Sequence, residues 1–242
     1  MNGHGLKRTA IRCLLSVFAF LVCVPAFLCC ADDPSAPETT SRISLPPPVL
    51  EGTVSLEEVI HSRRSVRSFQ DRPLTLPEIS QLLWAAGGKT IDGLTGATRS
   101  CPSAGGIYPL FVYLVAGRVA GLPSGLYRYE WKDHALVMLQ PGDQRFHLTD
   151  AAYGQPWVAS APTSIVITAD ISRTASRYGE RGEKRYVPMD AGHAGQNVSL
   201  QARALGLGSV IVGAFDDSRV GDVLGVKKET PLYIIPVGWP VP

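Results

Sequence analysis

Cysteine is nearly absent from the body of this chain, and the absence excludes a good deal. Of five cysteines, Cys13, Cys23, Cys29 and Cys30 crowd the start of the chain, and only Cys101 lies beyond them. No disulfide can form within residues 51–242, and no thiolate metal cluster either. Histidine offers no substitute, because His61, His134, His147 and His193 lack the spacing of a ligand set. A protein-bound metal is therefore not expected. An excess of one charge is also lacking. Lys7, Arg8 and Arg12 are three of the 23 basic residues, which leaves 20 basic against 21 acidic residues in the remainder. A near-neutral body gives no electrostatic footing for nucleic acid or an anionic membrane. The uncharged run from Cys13 to Leu28 falls short of the roughly 20 residues that a spanning helix needs. No internal repeat is visible.

The start of the chain reads as a secretory leader over residues 1–31. A basic stretch precedes the apolar run, and Cys29, Cys30 and Ala31 follow it. Cleavage after Ala31 and acylation at Cys30 both fit this layout, so the protein is expected to be exported, either free in the periplasm or held at the membrane facing it. Residues 32–50 are rich in Pro, Ser and Thr and read as an extended tether. One domain is expected over residues 51–242, long enough for a single core.

Within it, helix and strand signals mix without a regular rhythm, which indicates an α+β fold. A short amphipathic helix from Ser55 to His61 leads the domain. Thr75 and Glu78 form a capping box for a helix ending at Gly87-Gly88. Strands are expected over Leu110–Ala116, Ser164–Ala169, Ser209–Ala214 and Leu232–Val237, with a hairpin over Gly125–Leu139. A long helix spans Asp190–Leu205. Its small residues suit close packing, against a second subunit or within one.

The densest chemical signal is Ser62-Arg63-Arg64-Ser65-Val66-Arg67-Ser68. Three guanidiniums and neighbouring hydroxyls in one turn offer planar forks of donors that match a phosphate. Cys101-Pro102-Ser103-Ala104-Gly105-Gly106 precedes a strand, and its paired glycines let backbone come close to a flat ligand. Gly206-Leu207-Gly208 is not a dinucleotide fingerprint, since it follows a helix and opens a strand rather than the reverse. Cys101 reads as a small buried residue.

Four segments occur in the order seen in nitroreductase-like flavoproteins. They are Arg63-Arg64-Ser65-x-Arg67, Pro102-Ser103-Ala104-Gly105-Gly106-x-Tyr108-Pro109, Asp190 through Asn197, and Leu205-Gly206-Leu207-Gly208-Ser209. The chain most resembles the SagB-type branch, whose members oxidise azolines to azoles in modified peptides. This resemblance implies a mixed sheet wrapped by helices, in a homodimer with FMN at the interface. It implies that Arg63, Arg64, Ser65 and Arg67 hold the FMN phosphate and ribityl chain. Pro102, Ser103, Ala104, Gly105 and Gly106 would lie along the flavin ring bound by the partner subunit, and the Gly213 and Ala214 amides would meet its polar edge. Azoline-oxidising relatives use a lysine and a tyrosine, for which Lys184 and Tyr186 are the nearest match. Where family members carry a further cation after the last strand, this sequence has Gly238-Trp239-Pro240-Val241-Pro242, which leaves the anchoring charge on the arginine turn. The implied function is hydride transfer between FMN and a small-molecule or peptide substrate; the alternative is a non-catalytic flavin- or partner-binding protein.

Overall fold

The computed structural model describes residues 41–93 and 96–242. The expected leader and residues 32–40 of the expected tether lie outside them. The helices are α1 (Leu56–Ser62), α2 (Leu76–Gly87), α3 (Arg145–Ala151), α4 (Pro156–Ser160), α5 (Ile171–Arg181), α6 (Val187–Ala204) and α7 (Asp217–Leu224). The strands are β1 (Arg42–Ser44), β2 (Leu74–Thr75), β3 (Lys89–Gly93), β4 (Gly96–Arg99), β5 (Leu110–Ala116), β6 (Val119–Ala120), β7 (Gly125–Glu130), β8 (Ala135–Pro141), β9 (Thr163–Ala169), β10 (Gly208–Ser209) and β11 (Thr230–Gly238). Seven of these form one sheet in the order β1-β8-β7-β5-β9-β11-β10.

The α+β class is as the sequence indicates. The expected mixed sheet needs correction in its detail, because every ladder of the seven-stranded sheet is antiparallel. Among the described residues, parallel pairing is limited to β2 with β6 and to a bridge between Ser65 and Ser209. Short connections explain the β5-β7-β8 meander, since hairpins give antiparallel neighbours, whereas β1, β9 and β11 reach their antiparallel partners through long connections.

Alternation builds the two faces of the sheet. In β9, Ile165 and Ile167 join a core with Ile79, Leu82 and Leu83 of α2 and with α6. Val166 points the other way, to Leu148, Val158 and Val220 of α3, α4 and α7. Both faces are covered, so β9 is buried along its whole length and reads as a continuous apolar and β-branched run. On α6, the buried Ala191, Ala194, Gly195, Val198 and Ala202 recur at helical spacing. Most of this small-residue stripe belongs to the core beneath the sheet. It is therefore used within one chain.

Three boundaries differ from expectation. The second half of the expected tether is packed: β1 pairs with β8, Leu45 is 8% exposed, and Gln81 exchanges two hydrogen bonds with the Val49 backbone (2.8 and 3.0 Å). Ile43 and Leu45 alternate toward the core, a short pattern hidden by the five prolines of residues 32–50. The long helix starts at Val187 rather than Asp190, with Pro188 in its first turn, where a missing N–H is harmless. The strand expected over 209–214 is reduced to Gly208–Ser209 and a bridge from Val212 to Ile234. Val210 donates to the Pro236 carbonyl (3.3 Å), but proline has no N–H to return the bond.

Candidate functional site

The arginine turn is fixed at both ends before its charges come into play. Ser55 caps α1 by accepting from the Glu58 N–H at 3.1 Å, and the Arg63 N–H closes the helix on Val59. The turn then docks on β10, with the Val66 N–H donating to the Ser209 carbonyl at 2.9 Å. Gly208 makes this approach feasible, since a Cβ there would fall 2.7 Å from Val66. Ser62, Arg63, Arg64, Ser199, Arg203 and Ser209 line a cavity of about 330 Å³. Arg203 Nε donates to Ser62 Oγ at 2.7 Å. Among the described residues, no carboxylate pairs with Arg63, Arg64 or Arg203. Three guanidiniums without a counter-ion beside three hydroxyls fit a phosphate.

Neither Ser65 nor Arg67 lines this cavity, although Ser65 bridges Ser209, which does. Arg67 lies over the Trp157 ring, 5.5 Å from its centre. The neighbouring Gln155 donates to the Ala214 carbonyl at 2.7 Å. Gly213 and Ala214 are exposed just beyond the Val212 bridge. Ser209 and Gly213 are four extended residues apart, about 13 Å. The arginine cavity, Arg67 and the Gly213–Ala214 backbone thus follow one edge of the sheet.

The glycine loop is built at the other end of α6. Ser103 Oγ donates to Asp190 Oδ2 at 2.5 Å and accepts from the Tyr108 N–H at 2.9 Å. The Ala104 N–H approaches Asp190 Oδ1 at 3.4 Å. Two turns along the same helix, Asn197 donates to the Ser100 carbonyl at 3.0 Å. Asp190 is 3% exposed, and burial raises its pKa against the opposing pull of Ser103 and Ala104. Gly105 has φ +62°, and a Cβ there would lie 2.5 Å from the Tyr178 hydroxyl. Pro102, Gly105 and Gly106 are exposed, so the loop presents backbone outward. Cys101 is buried, as expected, and burial pushes its thiol pKa up.

A profile of the nitroreductase family matches residues 60–239. The chain belongs to the nitroreductase family. A protein of Methanocaldococcus jannaschii described as a nitroreductase is 42% identical over 185 residues, covering 76% of this chain and 91% of its own length. The trifolitoxin operon protein TfxC of Rhizobium leguminosarum is 24% identical over 213 residues, and the match spans 83% of this chain and 59% of that protein. Among solved structures, one described as a nitroreductase from Ralstonia eutropha has a TM-score of 0.71 at 29% identity, covering 83% of this chain and 90% of that one. The NADPH:FMN oxidoreductase of Vibrio harveyi shares the fold, with a TM-score of 0.55 at 20% identity over 77% of this chain and 69% of its own. Membership makes a flavin-type oxidoreductase activity the function class of this nitroreductase-family chain.

The structure treats the expected catalytic pair unequally. Lys184 lies in a π-helical turn (Gly182–Tyr186), has a side chain 68% exposed, and pairs with Glu180 one turn back. Among the described residues, no hydrogen bond or ion pair joins it to the glycine loop. Tyr186 accepts from Arg181 Nε at 2.9 Å and meets the Tyr178 ring edge-on at 5.2 Å. Tyr178 in turn sits against Gly105, which leaves Tyr186 one ring removed from the loop. Sequence reading missed Ser199, Arg203 and Ser209 as cavity residues, and Asp190 and Tyr178 as loop supports. Asp190 and Asn197 carried a signal, because they open and close the segment that matches the family. Arg203 carried none until the fold brought the end of α6 to the arginine turn.

Proposed function

We propose that this protein is an FMN-dependent oxidoreductase that exchanges a hydride with a small-molecule or peptide substrate outside the cytoplasm. The observation that carries the reading is the cavity of Arg63, Arg64 and Arg203 with their unpaired charges and adjacent hydroxyls. FMN, when bound, supplies the hydride chemistry; the chain binds, orients and manages a proton. Arg63, Arg64 and Arg203 take the phosphate, with Ser62, Ser199 and Ser209 as further partners. Arg67 and the Gly213–Ala214 backbone continue along the same edge, where N–H groups stabilise negative charge on the ring. Tyr186 orients or relays a proton through the Tyr178 side of the loop, and Lys184 is its partner by resemblance.

The site is completed by a second copy. Asp190 and Arg203 stand thirteen residues apart on α6, about 20 Å at 1.5 Å per residue. A chain's own glycine loop therefore lies far from its own arginine cavity. An apolar face beside α1 supports association, with Leu50 77% and Leu56 61% exposed. The substrate class follows the SagB-type resemblance, an azoline in a peptide, and export follows the leader.

The visible absorption spectrum of the purified protein tests the reading. Bound FMN in about equal amount to the chain supports it, and Arg63→Ala/Arg64→Ala should release the flavin. A colourless protein that cannot be reconstituted sinks it. The non-catalytic reading rests on Lys184, whose charge is turned to solvent and Glu180. It would be preferred if bound flavin were neither reduced nor reoxidised by any azoline peptide or nitroaromatic.

A further inference from the structure

A second group of cations gathers behind the glycine loop, on the far side of Tyr108. Arg99, Arg128, Lys132 and Arg173 wall a cavity of about 330 Å³ together with Phe111 and Trp131. The rings hold the charges in place. The Arg99 guanidinium lies 4.1 Å from the centre of Trp131 and 4.9 Å from that of Tyr108. Lys132 sits 5.8 Å from Trp131, while Arg128 and Arg173 lie 4.8 and 5.9 Å from Phe111. A ring face orients a cation without neutralising it.

Carboxylates are scarce around this cavity. Glu130 lies 3.6 Å from Arg128 Nε. Among the described residues, none pairs with Arg99, Lys132 or Arg173. Arg99 Nε is buried without a hydrogen-bond partner, and its Nη1 makes only a 3.5 Å contact with the Leu110 carbonyl. Burial, with repulsion from Arg173 adding to it, lowers the Arg99 pKa to about 10. Tyr108 holds its ring on Arg99 from a backbone with φ +52°, a conformation that non-glycine residues seldom adopt outside functional or strained sites. Four cations around one small volume, with one acid among them, focus a positive potential there. The chain as a whole carries only +2, so this concentration is local.

We propose that the cavity of Arg99, Arg128, Lys132 and Arg173 is an oxyanion-binding site, taking the phosphate or carboxylate group of a small ligand. Three guanidinium forks and an ammonium match either group through charge-assisted bonds. The volume leaves room for more than the bare ion. Arg99 also lines the narrow gap beside Pro102 and Ser103, so a ligand seated here would lie one side chain from the glycine loop. The proposal stands on these residues and does not depend on flavin.

Calorimetric titration with inorganic phosphate at low salt tests it, in an Arg63→Ala/Arg64→Ala background that disables the other cavity. That background should still bind phosphate. Adding Lys132→Ala and Arg173→Ala should weaken binding about tenfold or more, the scale of a lost charge-assisted bond. Both side chains are exposed, so the fold should survive, and a thermal melt checks this. Malonate titrated in parallel separates the sources: tighter phosphate indicates a phosphorylated ligand, tighter malonate a carboxylate, and either supports the site. Two results overturn it: no binding of either probe in the background, or binding unchanged by the Lys132 and Arg173 substitutions.

Discussion

The two ends of α6 solve opposite problems with similar means. At its C-terminal end, Arg203 joins Arg63 and Arg64, and no carboxylate of the described chain answers their charge. At its N-terminal end, the buried Asp190 is used internally, bonded to Ser103 Oγ and facing the Ala104 N–H. A charge left without a protein partner is available to a ligand, whereas a charge already bonded fixes the shape of the backbone around it. On the proposed function, one end therefore binds and the other end moulds. Substitutions should separate the two: affinity lost without stability at the first, stability lost with shape at the second.

The largest expected effect is on binding at the arginine end. Arg63→Ala/Arg64→Ala removes two charge-assisted partners, each worth about 1.5–3 kcal/mol when a ligand fills the site. FMN affinity should fall by about a hundredfold or more, read by fluorescence of released flavin, while the melting temperature of the flavin-free protein stays nearly constant. If the melt falls in step with affinity, the two ends are not different in kind.

Asp190→Ala should do the reverse. It leaves the half-buried Ser103 hydroxyl and the Ala104 N–H without their acceptor, a loss of about 1–2 kcal/mol of stability measurable by urea titration. The pH dependence sharpens the point. Because burial raises the Asp190 pKa, the folded state holds the proton more tightly than the unfolded chain. Its contribution to stability is therefore present at low pH and declines as pH rises from the ordinary carboxylate range through the raised value. Asp190→Asn should remove this slope. Gly105→Ala probes the same loop more gently, since φ +62° costs an alanine about 1–2 kcal/mol and its Cβ would press on Tyr178.

These contrasts also mark what was legible in the sequence. The α+β class, the antiparallel hairpin and the helix from Leu76 could be read because period-2 and period-3.6 patterns and a capping box are local signals. Thr75 and Glu78 show this, since the Thr75 N–H does meet the Glu78 carboxylate at 2.7 Å. Arg63 and Arg64 were legible as a dense cluster of charge, which needs no tertiary information, and the structure places both in one cavity. Ser199, Arg203 and Ser209 were not, since their convergence depends on where α6 ends relative to β10. The packed strap of residues 42–50 was hidden for a different reason. Its stability comes from partners far along the chain, Ser80, Gln81 and His134, and composition averaged over a window cannot report them.

The strap supplies a smaller test. The Pro46 carbonyl can only accept, so His134 Nε2, 2.9 Å away, carries a proton and Nδ1 accepts from the Tyr129 hydroxyl at 2.7 Å. Burial lowers the His134 pKa, opposed by the bond to Pro46. The neutral ring is the folded form, so this contribution is full above the ordinary histidine range and is lost as pH falls through the lowered value. Hydrogen-exchange protection at Leu45 and Val49, taken relative to the intrinsic rate at each pH, should fall on acidification, and His134→Gln should blunt the response.

Lys184 should give the smallest effect of all on stability, and it decides how the N-terminal end of α6 handles a proton. Its ion pair with Glu180 is exposed on both sides, and such pairs contribute between nothing and about 1 kcal/mol. Tyr186 is held by Arg181 and by the ring of Tyr178, which touches the glycine loop. If the loop end moulds rather than binds, the ordered tyrosine is the group that can hold a proton at a fixed place. Tyr186→Phe should then lower flavin turnover about tenfold, within the range of general acid–base contributions when a relay survives in part. Lys184→Ala should change turnover less than threefold. The reverse ranking would mean that the π-helical turn rearranges when substrate arrives, bringing Lys184 in from solvent, and the contrast between the two ends of α6 would then hold only for the ligand-free chain.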